Sequence, residues 1–321
     1  MIRVLYSAVM IFVMASMLMT IPAAAQEPIQ NLRLQISTER PSFSLGEPVY
    51  LTVRLVNEGP NEIRLLALLN PKDDLLGISI RDPAGQGVGF VPLSALDRDA
   101  SLTMLAPKME IGAVVPVFFG ATGWVFQVPG QFVAVARFDV HTGPGEPRLI
   151  QSPPLSITIR DEFADGARFL MDGEEGLEAG RFLVWRSGDQ LEQGLERLRQ
   201  YTERYPTSPV VDHYHFALGR SWARPFKDYR KGAVRPANYE RALMELDRVR
   251  DDVLPASLRV EKYLAQATSF LGTDRGREAA QSLHQAKSLI EERVELAQFR
   301  EQLTRLERHL ERLVSQQHQK Q

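Results

Sequence analysis

The stretch HYHFALGRSWARPFKDYRKGAVR, from His213 to Arg235, gathers the side chains best suited to chemistry or to binding. His213 and His215 are two residues apart. On a strand such a pair could share a metal; on a helix the two rings point about 200° apart and cannot. The other histidines, His141, His284, His309 and His318, have no ligand spacing, and HExxH is absent. The chain has no cysteine, no GxSxG elbow and no glycine-rich phosphate loop. Adjacent acids occur at Asp73-Asp74, Glu174-Glu175, Asp251-Asp252 and Glu291-Glu292, and these read as solvated turns rather than a paired acid and base. No catalytic residue, metal or cofactor is therefore expected, and the chain reads as a non-enzyme.

The second half of the stretch points instead to recognition. Arg220, Arg224, Lys227, Arg230, Lys231 and Arg235 stand against a single acid, Asp228, with Trp222, Phe226, Tyr229 and Tyr239 interleaved. Guanidinium groups beside aromatic rings bind acidic peptides, glycan phosphates or lipid headgroups. The expected partner-binding set is Trp222, Arg224, Phe226, Lys227, Tyr229, Arg230 and Arg235. The competing reading packs Trp222, Phe226 and Tyr239 onto neighbouring helices and leaves the cations in water.

The elements that position this segment follow from the wider pattern. The 321 residues are 44% hydrophobic and 24% charged, with a net charge of −2, so no global field favours nucleic acid. Residues 161–321 carry roughly twice the charge density of residues 1–160, as expected of a β-rich half followed by a helical one. Residues 1–25 combine Arg3, an apolar run from Val4 to Ile21, Pro22 and the small residues Ala23 and Ala25. That is a signal peptide with the mature chain starting at Gln26; a retained anchor is the alternative. No later run is long enough to cross a bilayer. An exported chain without cysteine points to a bacterial periplasm or exterior.

Residues 26–160 read as strands. Val49, Leu51, Val53 and Leu55 alternate with Tyr50, Thr52 and Arg54; Phe132, Ala134, Ala136 and Phe138 alternate with Val133, Val135 and Arg137; Leu155, Ile157 and Ile159 close the series. Turns at 57–61, 81–85, 128–130 and 141–147 separate strands near 31–39, 48–57, 62–69, 76–81, 111–119, 131–139 and 153–160. The segments ERPSFSLGEPVYLTVRLVNEGPNE and FQVPGQFVAVARF resemble bacterial immunoglobulin-like domains, which implies an antiparallel β-sandwich that binds, spaces or presents. Phe132 stands where such domains often carry a tyrosine, so the hydroxyl bond of that corner is missing.

Residues 161–321 read as helices. Leu191, Gly194, Leu195, Leu198 and Tyr201 have helical spacing, the helix stops at Tyr205-Pro206, and Ser208-Pro209 starts the next as N-cap and first turn. Leu218, Gly219 and Trp222, then Tyr239, Ala242 and Leu246, resemble the paired helices of tetratricopeptide repeats; Gly194, Leu198 and Pro206 suggest an earlier unit, and Ala265, Gly272, Ala279, Leu283 and Ala286 a later one. The resemblance implies two to three hairpins over residues 175–290 whose small residues let helix axes approach. Gly219 and Tyr239 are 20 residues apart, where an ordinary repeat needs about nine, so the basic segment is an enlarged turn within one hairpin. Phe299, Leu303, Leu306, Leu310 and Leu313 form a heptad seam on a long C-terminal helix. That helix caps the last repeat or dimerises.

The fold class expected is a multidomain all-β plus all-α chain: an Ig-like sandwich followed by a TPR-like helical domain with a capping helix. The function expected is a non-catalytic envelope binding or scaffold protein with a protein or peptide partner. Two other classes stay open: a protease inhibitor acting through a sandwich loop at 86–108, and a hydrolase whose carboxylates converge only in the fold.

Overall fold

The computed structural model describes residues 31–66, 69, 75–93, 102–141, 148–228 and 232–319. The expected signal peptide, and Tyr229 and Arg230 of the basic turn, lie outside these residues.

The first half is built of strands: β1 (Leu32–Ser37), β2 (Ser42–Ser44), β3 (Tyr50–Asn57), β4 (Ile63–Leu66), β5 (Leu76–Arg81), β6 (Gly87–Val88), β7 (Leu102–Leu105), β8 (Glu110–Pro116), β9 (Phe119–Gly120), β10 (Gly123–Trp124), β11 (Gly130–Val140), β12 (Arg148–Gln151) and β13 (Leu155–Arg160). All seven strands expected from alternation are present. One sheet has the order β1-β3-β8; a larger one runs β2-β13-β11-β5-β6, with β12 also on β11. Among the described residues the pairs in these two sheets are antiparallel except β13 with β2. Along β11, Phe132, Ala134, Ala136 and Phe138 are buried while Gln131 and Arg137 face out. Phe132 meets Phe126 edge-on, with centroids 5.0 Å apart, so ring packing occupies the corner. The Asn57 turn is closed by its own side chain, which accepts from Gly59 N at 3.0 Å.

The 86–108 segment, expected as a projecting loop, is partly pinned. Gly87–Val88 pairs with β5, Leu102–Leu105 pairs with β4, and Ala121 N donates to Val91 O at 2.7 Å. Residues 94–101 lie outside the described set.

The second half holds α1 (Ala164–Met171), α2 (Gly173–Trp185), α3 (Glu192–Arg204), α4 (Pro209–Trp222), α5 (Tyr239–Leu246), α6 (Ala256–Gly272), α7 (Gly276–Glu292), a 3-10 turn (Val294–Phe299) and α8 (Arg300–Gln319). Ser208 caps α4, accepting from Val210 N, with Pro209 in the first turn; Asn238 caps α5, accepting from Arg241 N at 3.0 Å. Gly194 and Gly219 are points of close approach. A Cβ on Gly194 would sit 2.4 Å from Ala179 N of α2, and one on Gly219 would sit 2.5 Å from Leu246 Cγ of α5. The α8 seam is occupied within the chain: Leu303 is buried and Phe299, Leu306 and Leu310 are half-buried in a cluster with Val260, Tyr263 and Leu264 of α6 and Leu283 of α7.

β3 departs from the expected half-buried strand. Leu51, Val53 and Leu55 are fully buried on one face, and Tyr50 and Thr52 are buried on the other. The helical half covers that second face. Arg54 makes a double hydrogen bond to Glu295 of the 3-10 turn, at 3.2 and 3.0 Å. One apolar cluster continues from the strands into α1–α6.

Gly194→Ala is expected to cost about 2–3 kcal/mol, because its methyl group meets backbone that cannot step aside. Gly276→Ala, whose nearest neighbour would be the Leu313 side chain at 3.3 Å, should change stability by less than about 1 kcal/mol. Urea denaturation of both variants checks this; equal midpoints would refute the close-approach account.

Candidate functional site

Two arrangements meet at the C-terminal ends of α2 and α4. The first is a polar seam between β3 and the helices. Tyr50 projects from β3 and stacks on His213 of α4, with centroids 6.1 Å apart and planes 18° apart. Arg186, just past α2, sits in the left-handed region at φ 51°, a conformation that costs a non-glycine residue roughly 1 kcal/mol. Its guanidinium interacts electrostatically with the Tyr50 hydroxyl and lies 3.4 Å from Glu261 of α6. Arg220, in the last turn of α4, puts Nε 2.6 Å from the other Glu261 oxygen. Arg224 donates to Arg186 O at 3.4 Å. One carboxylate therefore serves two guanidinium groups, with a third beside them.

Burial sets the protonation states here. It pushes the Tyr50 hydroxyl up to about 12, with Arg186 opposing. Burial also drives His213 down to about 3, helped by the cations Arg40 and Arg186, so its ring is neutral. Among the described residues His213 Nε2 has no hydrogen-bond partner. Arg220 falls to about 10 because burial and the neighbouring Arg186 and Arg224 outweigh Glu261.

The two histidines diverge as their helical spacing requires. His213 faces Tyr50, whereas His215 Nδ1 lies 2.8 Å from a Glu245 oxygen on α5. Glu245 is held below the usual carboxylate range because the His215 bond, with Arg248 and Arg241, overcomes its burial. Among the described residues no group of three or more acids and histidines could hold a metal ion.

The second arrangement is the basic turn, which folds as a hairpin of β14 (Phe226–Asp228) and β15 (Ala233–Arg235) in antiparallel register. Its base is closed where Asn238 N donates to Trp222 O at 2.9 Å. Trp222 does not face outward. The guanidinium carbons of Arg235 and Arg241 each lie over its ring, 4.1 Å from the centroid. Arg235 is ion-paired to Asp189 and donates to Ser221 O at 3.1 Å. Trp222 and Arg235 thus anchor the hairpin. Of the other expected residues, Arg224 and Lys227 are exposed and Phe226 is half-buried. Tyr50, Arg186 and Glu261 were not anticipated: Tyr50 looked like an outward strand residue, and nothing local marks the other two.

A separate cleft of about 580 Å³ lies between β10 and α1–α3, with Trp124, Phe169, Leu177 and Arg197 among its walls. Arg197 there sits 4.5 Å over the Phe169 ring and 3.2 Å from Glu175, so its charge is satisfied internally.

No protein-family model matches this sequence, and no curated protein does. Partial likenesses to solved structures exist. The sporulation control protein Spo0M of Bacillus subtilis is 11% identical, with 49% of this chain and 54% of that chain covered at a TM-score of 0.25. The CARDB domain of a Pyrococcus furiosus protein, solved with di-metal ions, is 11% identical over 41% and 94% of the two chains at 0.23. A β-glucosidase of Erythrobacter marinus is 19% identical over 40% and 15% at 0.23.

The buried His213 makes stability depend on pH. Its folded pKa of about 3 lies below the ordinary 6.5, so between those values the unfolded chain binds a proton that the folded chain refuses. This contribution is complete above pH 6.5 and is lost as pH falls. The loss amounts to about 2 kcal/mol at pH 5. Relative to wild type, His213→Phe should flatten the change in unfolding free energy between pH 7 and 5 by that amount. Parallel curves would show that His213 does not carry the dependence.

Proposed function

We propose that this chain is a non-catalytic binding protein of the bacterial envelope, exported by its N-terminal segment, that holds a protein partner through the β14–β15 hairpin. In this reading the strands form an immunoglobulin-like sandwich and the helices form tetratricopeptide-like hairpins. The paired sheets and the alternation along β11 favour the first; the contact of Gly219 with Leu246 favours the second.

The observation that carries the reading is the contrast between the hairpin's base and its outer part. The base is riveted by the Arg235–Trp222–Arg241 stack and the Arg235–Asp189 pair. Farther out, Lys227, Ala233 and Val234 are exposed, Val234 by 60%. A rigid stalk carrying cations and an apolar side chain presents a preorganised contact, which reduces the entropy lost on binding.

The test is crosslinked recovery of partners from bacterial envelope extract with full-length chain. Replacing Arg224, Lys227 and Arg230 together by Ser is expected to reduce recovery of a specific partner at least about ten-fold, since even one hydrogen bond to a charged group contributes about 1.5–3 kcal/mol and about 1.4 kcal/mol is ten-fold. Undiminished recovery would sink the assignment of the hairpin.

A further inference from the structure

Charge at the root of the hairpin does not balance. Arg186, Arg220 and Arg224 converge there, and Glu261 is the carboxylate they share. Asp189 is taken by Arg235. The C-terminal ends of α2 and α4 offset part of the excess, about half an elementary charge each at most, and still leave the cluster cationic.

The hydrogen bonding is also incomplete. Each guanidinium offers five donors in a planar fork. Among the described residues buried Arg186 Nε has no hydrogen-bond partner, and neither does the Glu261 oxygen facing Arg220. The Arg220 Nε contact to that oxygen is close, at 2.6 Å, but not aligned as a hydrogen bond. Glu261 therefore offsets one charge of the cluster without saturating its forks. Burial and mutual repulsion lower both Arg220 and Arg224 from the ordinary guanidinium value, Arg220 to about 10. An added anion would relieve that repulsion.

Access is graded from outside to inside. Arg224 is exposed, the Arg220 side chain retains 26% of its surface, and the Arg186 side chain retains 18%. An oxyanion entering from the Arg224 side would meet two planar forks before reaching the buried one. Bidentate carboxylate or phosphate recognition uses that geometry.

We infer that Arg220 and Arg224, backed by Arg186 and tempered by Glu261, form an oxyanion site at the hairpin root that takes an acidic side chain of a peptide partner. This rests on the reading of the hairpin as a partner surface and adds the partner's chemistry. The strained Arg186 backbone has a role in this arrangement: it places one residue's carbonyl under Arg224 and its side chain against Glu261.

The test is calorimetric titration of the full-length chain with two probes, a hexaglutamate peptide and inorganic phosphate, with circular dichroism as the check on folding. Hexaglutamate is expected to bind, more weakly as salt rises. Arg224→Ser, an exposed change that leaves the core intact, should weaken it about ten-fold. Arg224→Lys should weaken it less than Arg224→Ser does, because the charge remains but the fork is lost. Glu261→Gln should tighten binding by removing the internal competitor. Failure of wild type to bind either probe, or equal binding by wild type and Arg224→Ser, overturns the site. Phosphate binding without hexaglutamate binding overturns the acidic-peptide assignment. Neither titration involves a partner, so loss of the site is separable from loss of the hairpin reading, which the crosslinking result decides.

Discussion

The central sheet strand β3 is covered on both faces, and much of the architecture follows from that constraint. Its Leu51, Val53 and Leu55 face the second sheet, while Tyr50, Thr52 and Arg54 are turned toward helices. Covering a polar face demands a partner for every charge. Glu295, 2% exposed, would be costly to bury alone; Arg54 neutralises it with two hydrogen bonds. Gly112 of β8 makes room for the 3-10 turn, because a Cβ there would sit 2.8 Å from that of Glu295. Sheet and turn fit only because one strand position lacks a side chain.

The rest of the joint obeys the same rule. Glu39, in the β1–β2 connection, accepts from Ala256 N at the start of α6 and from Arg293, at 2.7 and 2.8 Å. It supplies the negative charge that a helix N-terminus favours. Buried Glu47 is held by Arg40 and by Ser44 N at 2.8 Å. Asp212 of α4 binds Arg250 through its guanidinium and its backbone N. His213 escapes the need for a counter-charge by staying neutral. Swinging the helices away from β3 would strip buried Glu295 of Arg54 and part Glu39 from Ala256 N and Arg293 at once, so the two halves are expected to move together. The apolar cluster that crosses the joint adds to that coupling.

The legibility of this molecule in its sequence divides along the same line. Long strands with two-residue alternation are readable, and β3, β11 and β13 stand close to where their patterns place them. Strands such as β6, β9 and β10, two residues each, are too short to carry a period. The caps at Ser208 and Asn238 depend on side chains next to their own helices, and the first of them is plain from Ser-Pro. The second face of β3 is deceptive: Thr52 and Arg54 would alternate identically whether they met water or a polar helix surface. The Arg186–Glu261 pair joins residues 75 positions apart in sequence, and no local pattern reports such a meeting. The basic turn is visible as an excess of residues, but not as a hairpin, because FKD and AVR are each three residues long.

The position of that hairpin follows from helix packing. Gly219 brings α4 against Leu246 and the Ala242 carbonyl of α5, so the start and end of the insertion are held close together. Extra chain between two fixed points must leave the helix layer, and pairing its ends into strands satisfies its backbone as it does so. Trp222 lies at the exit and Arg235 at the return, which lets a single stack secure both ends. Asp189, between α2 and α3, ties Arg235 to the neighbouring helix pair. The hairpin is therefore oriented relative to Arg186 as well as to its own helices. Arg235 at the hairpin's return and the Arg220–Arg224 cluster accordingly share one base.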